Sequence, residues 1–339
     1  MMMKMRNKNT LLVGMLCILM SACSTTKNLP EGETLYTGID KLEVVNEDKT
    51  LAGITALTEV EAALAYAPNN AIFGSSSLRW PVPFGLWVYN GFEKYQDKKG
   101  IGRWIFDHLG KSPVLMSSVN GETRAKVATN LLHDYGYFNG SVSYKEVPQK
   151  NPKEAKVSYV IDMARPYFLD SIAYLKYPHY ADSLIQSTRS LSVLKNEENF
   201  SVIKLEEERQ RLSNLFRNHG YYYYRPEFTT YRADTLQKSG YVSLQVLPRN
   251  GIPAEAKKQY YIGNTSVYLT GYDNEPPTDT LRLRTMTFYY SGKKPGIRPN
   301  ALMRNVFFRK GELFSQDRQT FTQEAIARTG VFRYSEFRY

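Results

Sequence analysis

The chain has 339 residues, of which 42% are hydrophobic and 23% are charged. This is the balance of a globular protein, and the length excludes a single ordinary core and fits two or three domains of about 100 to 200 residues each. The formal net charge is +11, but the basic residues are scattered rather than grouped, so they do not predict a nucleic-acid partner. Tyrosine occurs 26 times, which favours sheet-rich structure.

The N-terminus has the layout of a secretory signal peptide. Three basic residues precede an apolar run from Leu11 to Met20, which at about ten residues is too short to cross a hydrocarbon core about 30 Å thick. Small residues then lead to Cys23, as in a bacterial lipobox, whose cysteine becomes acylated. Cys17 would leave with the leader, so Cys23 would be a lone thiol in an oxidising compartment unless it is modified. We predict a signal peptide over residues 1–22 and a lipid on Cys23; the alternative is an ordinary signal peptide with an incidental cysteine.

The first domain is predicted over residues 35–163, after a polar tether at 23–34. Leu42–Val45 has the composition of a strand, and Ala56–Tyr66 has that of a short helix with a cap signal at Thr58. The domain therefore opens with a strand and a helix, and its other elements follow an insertion.

That insertion is an irregular block at about residues 68–112, which contains all three tryptophans, Trp80, Trp87 and Trp104. One interpretation is a surface aromatic patch that touches a membrane or a partner. The other is an insertion with a small apolar core of its own. We favour the second.

A helix that ends at a glycine, followed at once by an aromatic or β-branched pair, occurs three times. The glycines are Gly136, Gly220 and Gly330, and the first copy reads LLHDYGYFNGSV. Glycine suits the end of a helix because the left-handed conformation often required there carries no Cβ penalty only for this residue. The glycines are roughly 100 residues apart, so a unit of domain size is predicted to repeat in tandem.

The remaining elements follow this repeat. The predicted strands are Ser141–Val147, Ala155–Ile161, Phe168–Leu175, Pro226–Arg232, Gly240–Leu247 and an extra strand at Leu281–Tyr290 in the third unit. The predicted helices are Ala181–Ser190, Ser201–His219 with Ser201 as its cap, and Gln316–Thr329. The second and third domains are therefore placed at 164–250 and 251–339. Since only one strand can follow the last helix, we expect the third domain to lack its last strand and to belong to a longer polypeptide.

The order strand, helix, helix, strand, strand, with a glycine-aromatic pair after the second helix, resembles the POTRA (polypeptide-transport-associated) domains of the BamA and TamA superfamily. With the sequence CSTTKNLPEGETLY at the lipobox and the segments GLWVYNGF and GYFNGSV, the chain is most similar to the translocation and assembly module lipoproteins, the TamL family. The resemblance implies an α+β fold of three tandem POTRA domains, β-α-α-β-β, each with a mixed three-stranded sheet covered by two helices, the third incomplete. The membrane barrel that these proteins carry after the last domain has no counterpart within residues 1–339, which is a departure from the family.

By this resemblance the chain would be the substrate-binding arm of an outer-membrane protein assembly factor, lipid-anchored in the outer membrane with its domains mainly in the periplasm. The expected partners are unfolded outer-membrane β-barrel proteins, an inner-membrane-anchored protein like TamB, and the outer membrane through the lipid on Cys23. An outer strand leaves N–H and C=O groups unpaired, and an unfolded strand can add to them by β-augmentation. We place this site on the first strand of the second domain. The candidate substrate-binding residues are Phe168, Leu169, Asp170, Ser171, Ile172, Ala173, Tyr174 and Leu175.

No catalytic, cofactor or metal site is predicted. None of the four histidines pairs with another at i, i+4, and the sequence has neither a G-x-S-x-G elbow nor a phosphate-binding Gly-rich loop. The acidic run Glu206–Glu208 is interpreted as a solvated helix face. Two alternatives stay open. One is a glycan-binding or accessory lipoprotein with the tryptophans as stacking platforms, and the other is a lipoprotein hydrolase whose carboxylate pair is distant in sequence.

Overall fold

The computed structural model describes residues 25–271 and 276–339. The chain divides into unit 1, which ends at Tyr167, and unit 2, which begins at Phe168. The predicted signal peptide and the predicted lipidation site, Cys23, lie outside the described residues.

Unit 1 is built from one sheet and the helices that cover it. In chain order its elements are β1 (Leu35–Val45), α1 (Leu51–Leu64), α2 (Phe84–Phe92), α3 (Ile101–Leu109), α4 (Met116–Val119), α5 (Gly121–Asp134), β2 (Ser141–Pro148) and β3 (Glu154–Asp162). The predicted cap at Thr58 is wrong, because the Thr50 side chain accepts from the Gly53 N–H and starts the helix earlier. The Thr58 hydroxyl instead donates to the Ile54 carbonyl of its own helix. We call residues 68–112, which include α2 and α3, the aromatic insertion.

The sheet of unit 1 has the order β1-β3-β2, with β1 parallel and β2 antiparallel to β3. The predicted alternation in β3 is confirmed, since Val157, Tyr159 and Ile161 are all buried. They pack with residues of α1 and α5 such as Val60 and Leu132 in one core. One face of the sheet is therefore covered by helices, as apolar positions that recur with a period of two require.

Unit 2 contains two further sheets. Its elements are β4 (Phe168–Tyr174), α6 (His179–Ser187), α7 (Val202–Asn218), β5 (Thr229–Asp234), β6 (Tyr241–Pro248), β7 (Thr265–Tyr268), β8 (Asp279–Leu283), β9 (Met286–Tyr290), α8 (Pro299–Met303) and α9 (Gln316–Arg328). The sheets have the orders β4-β6-β5 and β7-β9-β8, each with one parallel and one antiparallel pair. The predicted α+β fold with mixed three-stranded sheets is confirmed, and Ser201 caps α7 as predicted.

The third sheet differs from the prediction. The single strand expected at Leu281–Tyr290 is a hairpin, β8 and β9, which turns at Arg284 in the left-handed region (φ 52°). All three strands of this sheet therefore precede α8 and α9 in sequence, whereas in the first two domains the helices follow the first strand. No strand follows Gly330 in the part of the chain that the structure describes.

The helix stops have the predicted geometry. Gly136 adopts a φ of 89°, and the Tyr137 N–H donates to the Leu132 carbonyl five residues back, at 2.9 Å. Gly220 and Gly330 also have positive φ values, 93° and 65°. The left-handed glycine and the six-to-one hydrogen bond at Gly136 together are the Schellman motif, which satisfies carbonyls that the end of a helix leaves unpaired.

The end of α7 also holds the third domain within unit 2. The Asn218 side chain donates to the Asp317 carboxylate at 2.8 Å and accepts from the Asp317 N–H at 2.9 Å. The rings of Tyr222 and Phe314 meet edge to face with centroids 4.8 Å apart, and the Tyr260 N–H donates to the Gly220 carbonyl at 2.8 Å.

The acidic run on α7 is only partly solvated, which corrects the prediction. Glu208 is fully buried, whereas its two acidic neighbours are exposed. Its carboxylate accepts from the Tyr174 hydroxyl, from the Val193 N–H at 3.2 Å, and from Arg211 through two bonds of 2.6 and 2.8 Å. The reason is helical period, because residue 208 lies four positions before the buried Leu212 and shares its inward face.

We expect Glu208→Gln to lower the free energy of unfolding of the second domain by about 3 kcal/mol, because it leaves a half-buried guanidinium without its carboxylate. Urea denaturation measures the loss, with hydrogen exchange of the α7 and β4 amides as the probe of unfolding. Glu207→Gln, one position away on the exposed side of the same helix, is the matched control and should change stability by less than about 0.5 kcal/mol. Equal effects of the two variants would contradict a buried ion pair.

We also expect unit 1 to lose stability as the pH rises above about 10. Burial raises the pKa of Tyr36 to about 12, and burial with a 2.6 Å hydrogen bond to the Asp48 carboxylate raises the pKa of Tyr137. Both groups favour folding while they are protonated, so their contribution is complete below pH 10 and falls as the pH approaches the folded-state pKa. The slope is up to about 1.4 kcal/mol per pH unit for each tyrosine.

Urea titrations of Tyr137→Phe between about pH 8 and 11, a range that includes the ordinary tyrosine pKa, test this expectation. Tryptophan fluorescence reports the unfolding. The variant should be less stable at neutral pH and should lose less stability on the alkaline side. Tyr144→Phe is the control, because Tyr144 is 38% exposed. An alkaline slope that is the same in wild type and Tyr137→Phe would remove Tyr137 from the explanation.

Candidate functional site

The outer strands of the sheets are the places where this fold can bind another chain through its backbone. In the first two sheets β3 and β6 are paired on both sides, which leaves β1, β2, β4 and β5 with one side turned outward. The N–H and C=O groups on that side bind a further strand unless the protein itself covers them. The contacts of each outer strand decide which edges are covered.

The predicted substrate-binding strand, β4, is an outer strand that pairs with β6, but its free side is partly occupied. The Leu169 N–H donates to the Glu198 carbonyl at 2.8 Å, and the Leu169 carbonyl accepts from the Glu197 N–H at 2.7 Å. Further along, Arg189 donates to the Ile172 carbonyl at 2.9 Å. A connecting segment and an arginine thus cover most of the first five residues of this edge.

Features at both ends of β4 further limit the number of its outward hydrogen-bonding groups. The register shifts between Leu169 and Ser171, and the intervening Asp170 pairs with Lys238 at 3.1 Å. The Leu175 N–H donates to the β6 carbonyl of Val246, so the alternate residues 172 and 174 turn their main chain outward. Seven of the eight predicted residues therefore lie together on β4 and Leu175 follows it directly, but they offer few outward hydrogen-bonding groups.

The strand β1 is also covered where it begins. The Tyr36 N–H donates to the Val114 carbonyl at 2.8 Å, and Arg79 of the aromatic insertion donates to the Thr37 carbonyl at 3.3 Å. Gly38 has a φ of 119°, and a Cβ there would lie 2.2 Å from the Arg79 guanidinium, so this contact requires glycine. The pairing of β1 with β3 is interrupted by two register shifts, which make it an irregular template.

The strand β2 presents the longest outer edge with a continuous register. Its register with β3 is continuous from Ser141 to Pro148. The Val142 N–H points away from β3 and donates to the Thr129 hydroxyl at 2.9 Å. Because orientation alternates along a strand, the N–H and C=O groups of Tyr144 and Glu146 also face outward.

A groove runs beside this edge, between β2 and α5. Its volume is about 260 Å³. It is lined by Glu122, Ala125, Lys126, Thr129, Asn130, Val142 and Tyr144. Ala125 and Val142 are buried at its floor, while Glu122 and Lys126 form an exposed ion pair of 2.6 Å at its rim. Small side chains on the helix thus leave room next to the open edge.

The Tyr144 ring closes one end of this groove by lying over the first residue of α5. A Cβ added at Gly121 would be 2.8 Å from the ring, so the glycine allows the close approach. The pKa of Lys126 is raised and that of Glu122 is lowered, in both cases chiefly by the hydrogen bond between them. The rim therefore keeps both charges at neutral pH and has no net charge.

The corresponding strand of the second domain, β5, is an outer strand without such a groove. The Tyr231 hydroxyl donates to the Leu205 carbonyl of α7 at 2.6 Å, and Arg209 lies over its ring at 5.4 Å. The tyrosine therefore fills the space between strand and helix. In this respect β2 and β5 differ although they have the same position in their sheets.

Sequence reasoning placed β2 correctly as a strand but did not select it as a site. The available signal was weak: Ala125 and Thr129 put small side chains four residues apart on the helix face that adjoins the strand.

Two other properties concern the part of the chain that the structure describes, residues 25–271 and 276–339. No group of three or more histidine, cysteine or acidic residues there could hold a metal ion, and none of the helices has the length and apolarity to span a bilayer.

No protein-family model matches the sequence, and no curated protein matches it. Solved structures that are similar include BamA POTRA3-5 of Haemophilus influenzae, with 9% identity, 92% of both chains covered and a TM-score of 0.36. Another is POTRA1-3 of the periplasmic domain of Omp85 from Anabaena, with 12% identity, 90% of this chain and 88% of that chain covered, and a TM-score of 0.28. The fold assignment rests on the strand order and helix placement of this chain itself.

We expect Thr129→Val to loosen the start of the β2 edge, because it leaves the Val142 N–H without its acceptor at a cost of about 1 to 2 kcal/mol. The Val142 amide should then exchange with solvent roughly fivefold faster or more. Thr58→Val is the matched control, since the Thr58 hydroxyl bonds only to its own helix. Unchanged exchange at Val142 would mean that the threonine does not hold this edge.

Proposed function

We propose that the chain is the periplasmic substrate-binding arm of an outer-membrane protein assembly factor, and that it binds unfolded β-rich outer-membrane proteins by β-augmentation at β2. The observation that carries this proposal is the regular outward edge of β2 at Tyr144 and Glu146, with a groove beside it. An added strand would hydrogen-bond to these main-chain groups, which exist in any sequence. Affinity would therefore require little sequence specificity.

The groove explains why the partner should be strand-rich and amphipathic. Side chains of a strand alternate between the two faces of the sheet, so every second side chain of an added strand would point toward α5 and enter the groove. Its floor at Ala125 and Val142 is apolar and would receive apolar side chains. Strands of outer-membrane barrels alternate apolar and polar residues with this period.

The wider role follows the resemblance of the sequence to the translocation and assembly module lipoproteins of the BamA and TamA superfamily. In this proposal a lipid on Cys23 anchors the chain to the outer membrane, weakly held substrates pass from the β2 edge to a membrane barrel, and a TamB-like inner-membrane-anchored protein is the partner. The chain acts by binding rather than by catalysis. The support is the domain order β-α-α-β-β in the first two domains.

The predicted site on β4 is kept as a second contact. Its outward residues are 172 and 174, and the Ile172 carbonyl already accepts from Arg189, so fewer groups are available than at β2, but they could extend a chain that is bound elsewhere. The covering contacts at Leu169 and Ile172 would have to open before β4 could pair along its whole length. A proline substitution is therefore predicted to affect substrate binding differently in β2 and in β4.

Glu146→Pro should raise the Kd for a urea-unfolded outer-membrane barrel protein about tenfold, because it removes an outward N–H and blocks an added strand. The substitution leaves the ladder to β3 intact, since the lost N–H does not face that strand. The measurement is fluorescence anisotropy of the labelled substrate with the full chain. A photo-crosslinker at Asn130, an exposed residue of the groove, reports occupancy in the same samples.

Two proline variants serve as controls for this test. Ala233→Pro changes an outward position of β5, and Ile172→Pro changes an outward position of β4, and each should leave the Kd within about twofold of wild type. A loss of binding in Ile172→Pro alone would move the site to β4. Normal binding and crosslinking in all three variants would reject β-augmentation by these edges.

A further inference from the structure

The aromatic insertion exposes large apolar side chains that the proposed function does not use. The most exposed are Phe73 (104%), Leu78 (62%), Trp80 (61%), Phe84 (60%), Ile101 (80%) and Trp104 (56%). All of them fall within residues 68–112, together with every tryptophan of the chain. A concentration of exposed apolar groups in one segment of a folded domain marks an interaction surface.

The insertion also has the small core of its own that the sequence analysis favoured. Leu86 and Val88 of α2 are buried, and the rings of Tyr89 and Phe106 join α2 to α3 with centroids 5.2 Å apart. The exposed side chains are not part of that core. The two interpretations of this segment are therefore compatible, because a packed interior supports an apolar exterior.

The helix α3 shows this arrangement most clearly. Ile101, Trp104, Ile105 and His108 recur at i, i+3, i+4 and i+7, which places them on one face, while Phe106 lies on the side that meets α2. No residue of α3 is buried. Ile101 and Trp104 of this face are exposed and Ile105 is half-buried, so much of the apolar face of this amphipathic helix is turned to solvent.

The first described residues of the chain contact the insertion. The Asn90 side chain of α2 donates to the Thr25 carbonyl at 3.2 Å, and Asn28 donates to the Asn90 carbonyl at 3.4 Å. The Thr25 hydroxyl in turn donates to Glu154 at 2.6 Å. Cys23 precedes Thr25 by two residues, which span at most about 7 Å. An acyl chain on Cys23 would therefore meet the membrane next to the insertion.

The charge of the insertion suits an anionic surface. Within residues 68–112 the basic residues are Arg79, Lys94, Lys98, Lys99, Arg103 and Lys111, against the acidic residues Glu93, Asp97 and Asp107. Anionic phospholipid attracts such an excess of basic side chains. Tryptophans with neighbouring lysines and aliphatic side chains are the residue types that settle at the headgroup level of a bilayer.

We propose that the aromatic insertion lies on the phospholipid surface, with Trp80, Trp104 and Ile101 in the headgroup region beside the lipid anchor. This contact goes beyond substrate binding, because it would fix unit 1 against the membrane instead of leaving it on a free tether. The contact needs no particular lipid, only an anionic bilayer surface. It also does not depend on acylation, which serves here as a second attachment.

A glycan is the other ligand that exposed tryptophans can bind, and the geometry favours it less. The Trp104 ring is stacked on His108, with centroids 4.8 Å apart and planes at 19°, so one of its faces is already covered. Its neighbour Ile101 supplies no hydrogen-bonding group. A sugar site requires an open ring face with polar groups around it, whereas a bilayer interface requires only apolar bodies and basic flanks.

The test uses native tryptophan fluorescence, since all three tryptophans are in the insertion. The full chain carrying Cys17→Ser is coupled through Cys23 to a maleimide lipid in phosphatidylethanolamine and phosphatidylglycerol vesicles, so attachment does not depend on acylation in cells. Phospholipids brominated at different depths quench tryptophans that they contact. We expect a blue-shifted emission, and about twofold stronger quenching by shallow than by deep bromines.

Variants identify the residues responsible. Trp80→Phe and Trp104→Phe should each remove part of the quenching. Phe84→Asp combined with Ile101→Asp should abolish it while the protein stays coupled to the vesicles. Leu51→Asp, at a position that is 83% exposed but outside the insertion, is the matched control and should leave it unchanged.

Each other outcome overturns the proposal. Vesicle-coupled protein without quenching would show that the insertion does not touch lipid. An emission shift with soluble oligosaccharide and no effect of vesicles would favour a glycan site, and a shift only with unfolded outer-membrane protein would make the insertion part of the substrate surface. Because the vesicle quenching measurement itself contains no substrate, failure of β-augmentation at β2 leaves its result unaffected.

Discussion

The first two domains each depend on a hydrogen bond to the carbonyl of the glycine that ends their last helix. In unit 1 the Gly136 carbonyl accepts from the Tyr167 N–H at 2.9 Å, and in unit 2 the Gly220 carbonyl accepts from the Tyr260 N–H at 2.8 Å. Both tyrosines lie shortly before the first strand of a sheet, β4 and β7. One residue thus ends the helix, turns the chain into the next strand and fixes the segment that leaves the domain. Glycine is required at Gly220 also for space, since a Cβ would lie 2.8 Å from Leu313.

A sheet of only three strands also has outer edges that the protein must either cover or use for binding. With one middle strand, two of the three strands have an outward edge, so most of the sheet is available to another chain. The protein covers the start of β1 with Arg79 and the first part of β4 with Arg189 and a connecting segment. It leaves β2 regular and open. Neighbouring loops and side chains, not the strand itself, therefore decide whether an edge is covered or can bind another strand.

The insertion in unit 1 illustrates how one segment serves two purposes. Arg79 folds back onto β1 and covers its edge, while Trp80, the next residue, is 61% exposed. Asn90 holds the incoming chain at Thr25. The insertion thus protects a sheet edge on one side and presents an apolar surface on the other, and in our proposals the β2 edge receives substrate while the insertion contacts lipid.

The sequence by itself determined the elements that depend on local chemistry. Glycines after an apolar helical face, alternation in β3 and a serine cap at Ser201 each act within a few residues, so the helices, most strands and the α+β fold were predictable. The hairpin β8-β9 was predictable in principle, because the apolar residues that enter the core change from odd numbers in β8 (Leu281 and Leu283) to even numbers in β9 (Met286 and Phe288), which one continuous strand would not do.

Only the tertiary structure decided which edges are open and which polar groups are buried. Arg189 reaches Ile172 from another element, and Glu208 is buried because Tyr174 and Arg211 supply partners from the packed helix and strand. The helical period places Glu208 on the inward face and Arg211 is its neighbour on the same helix, but the contacts with Tyr174 and between Arg189 and Ile172 join residues that are distant in sequence, and no local pattern records them. The choice between β2 and β4 as the binding edge belongs to this class, since both are short strands at the side of a sheet and differ only in what the rest of the chain places next to them.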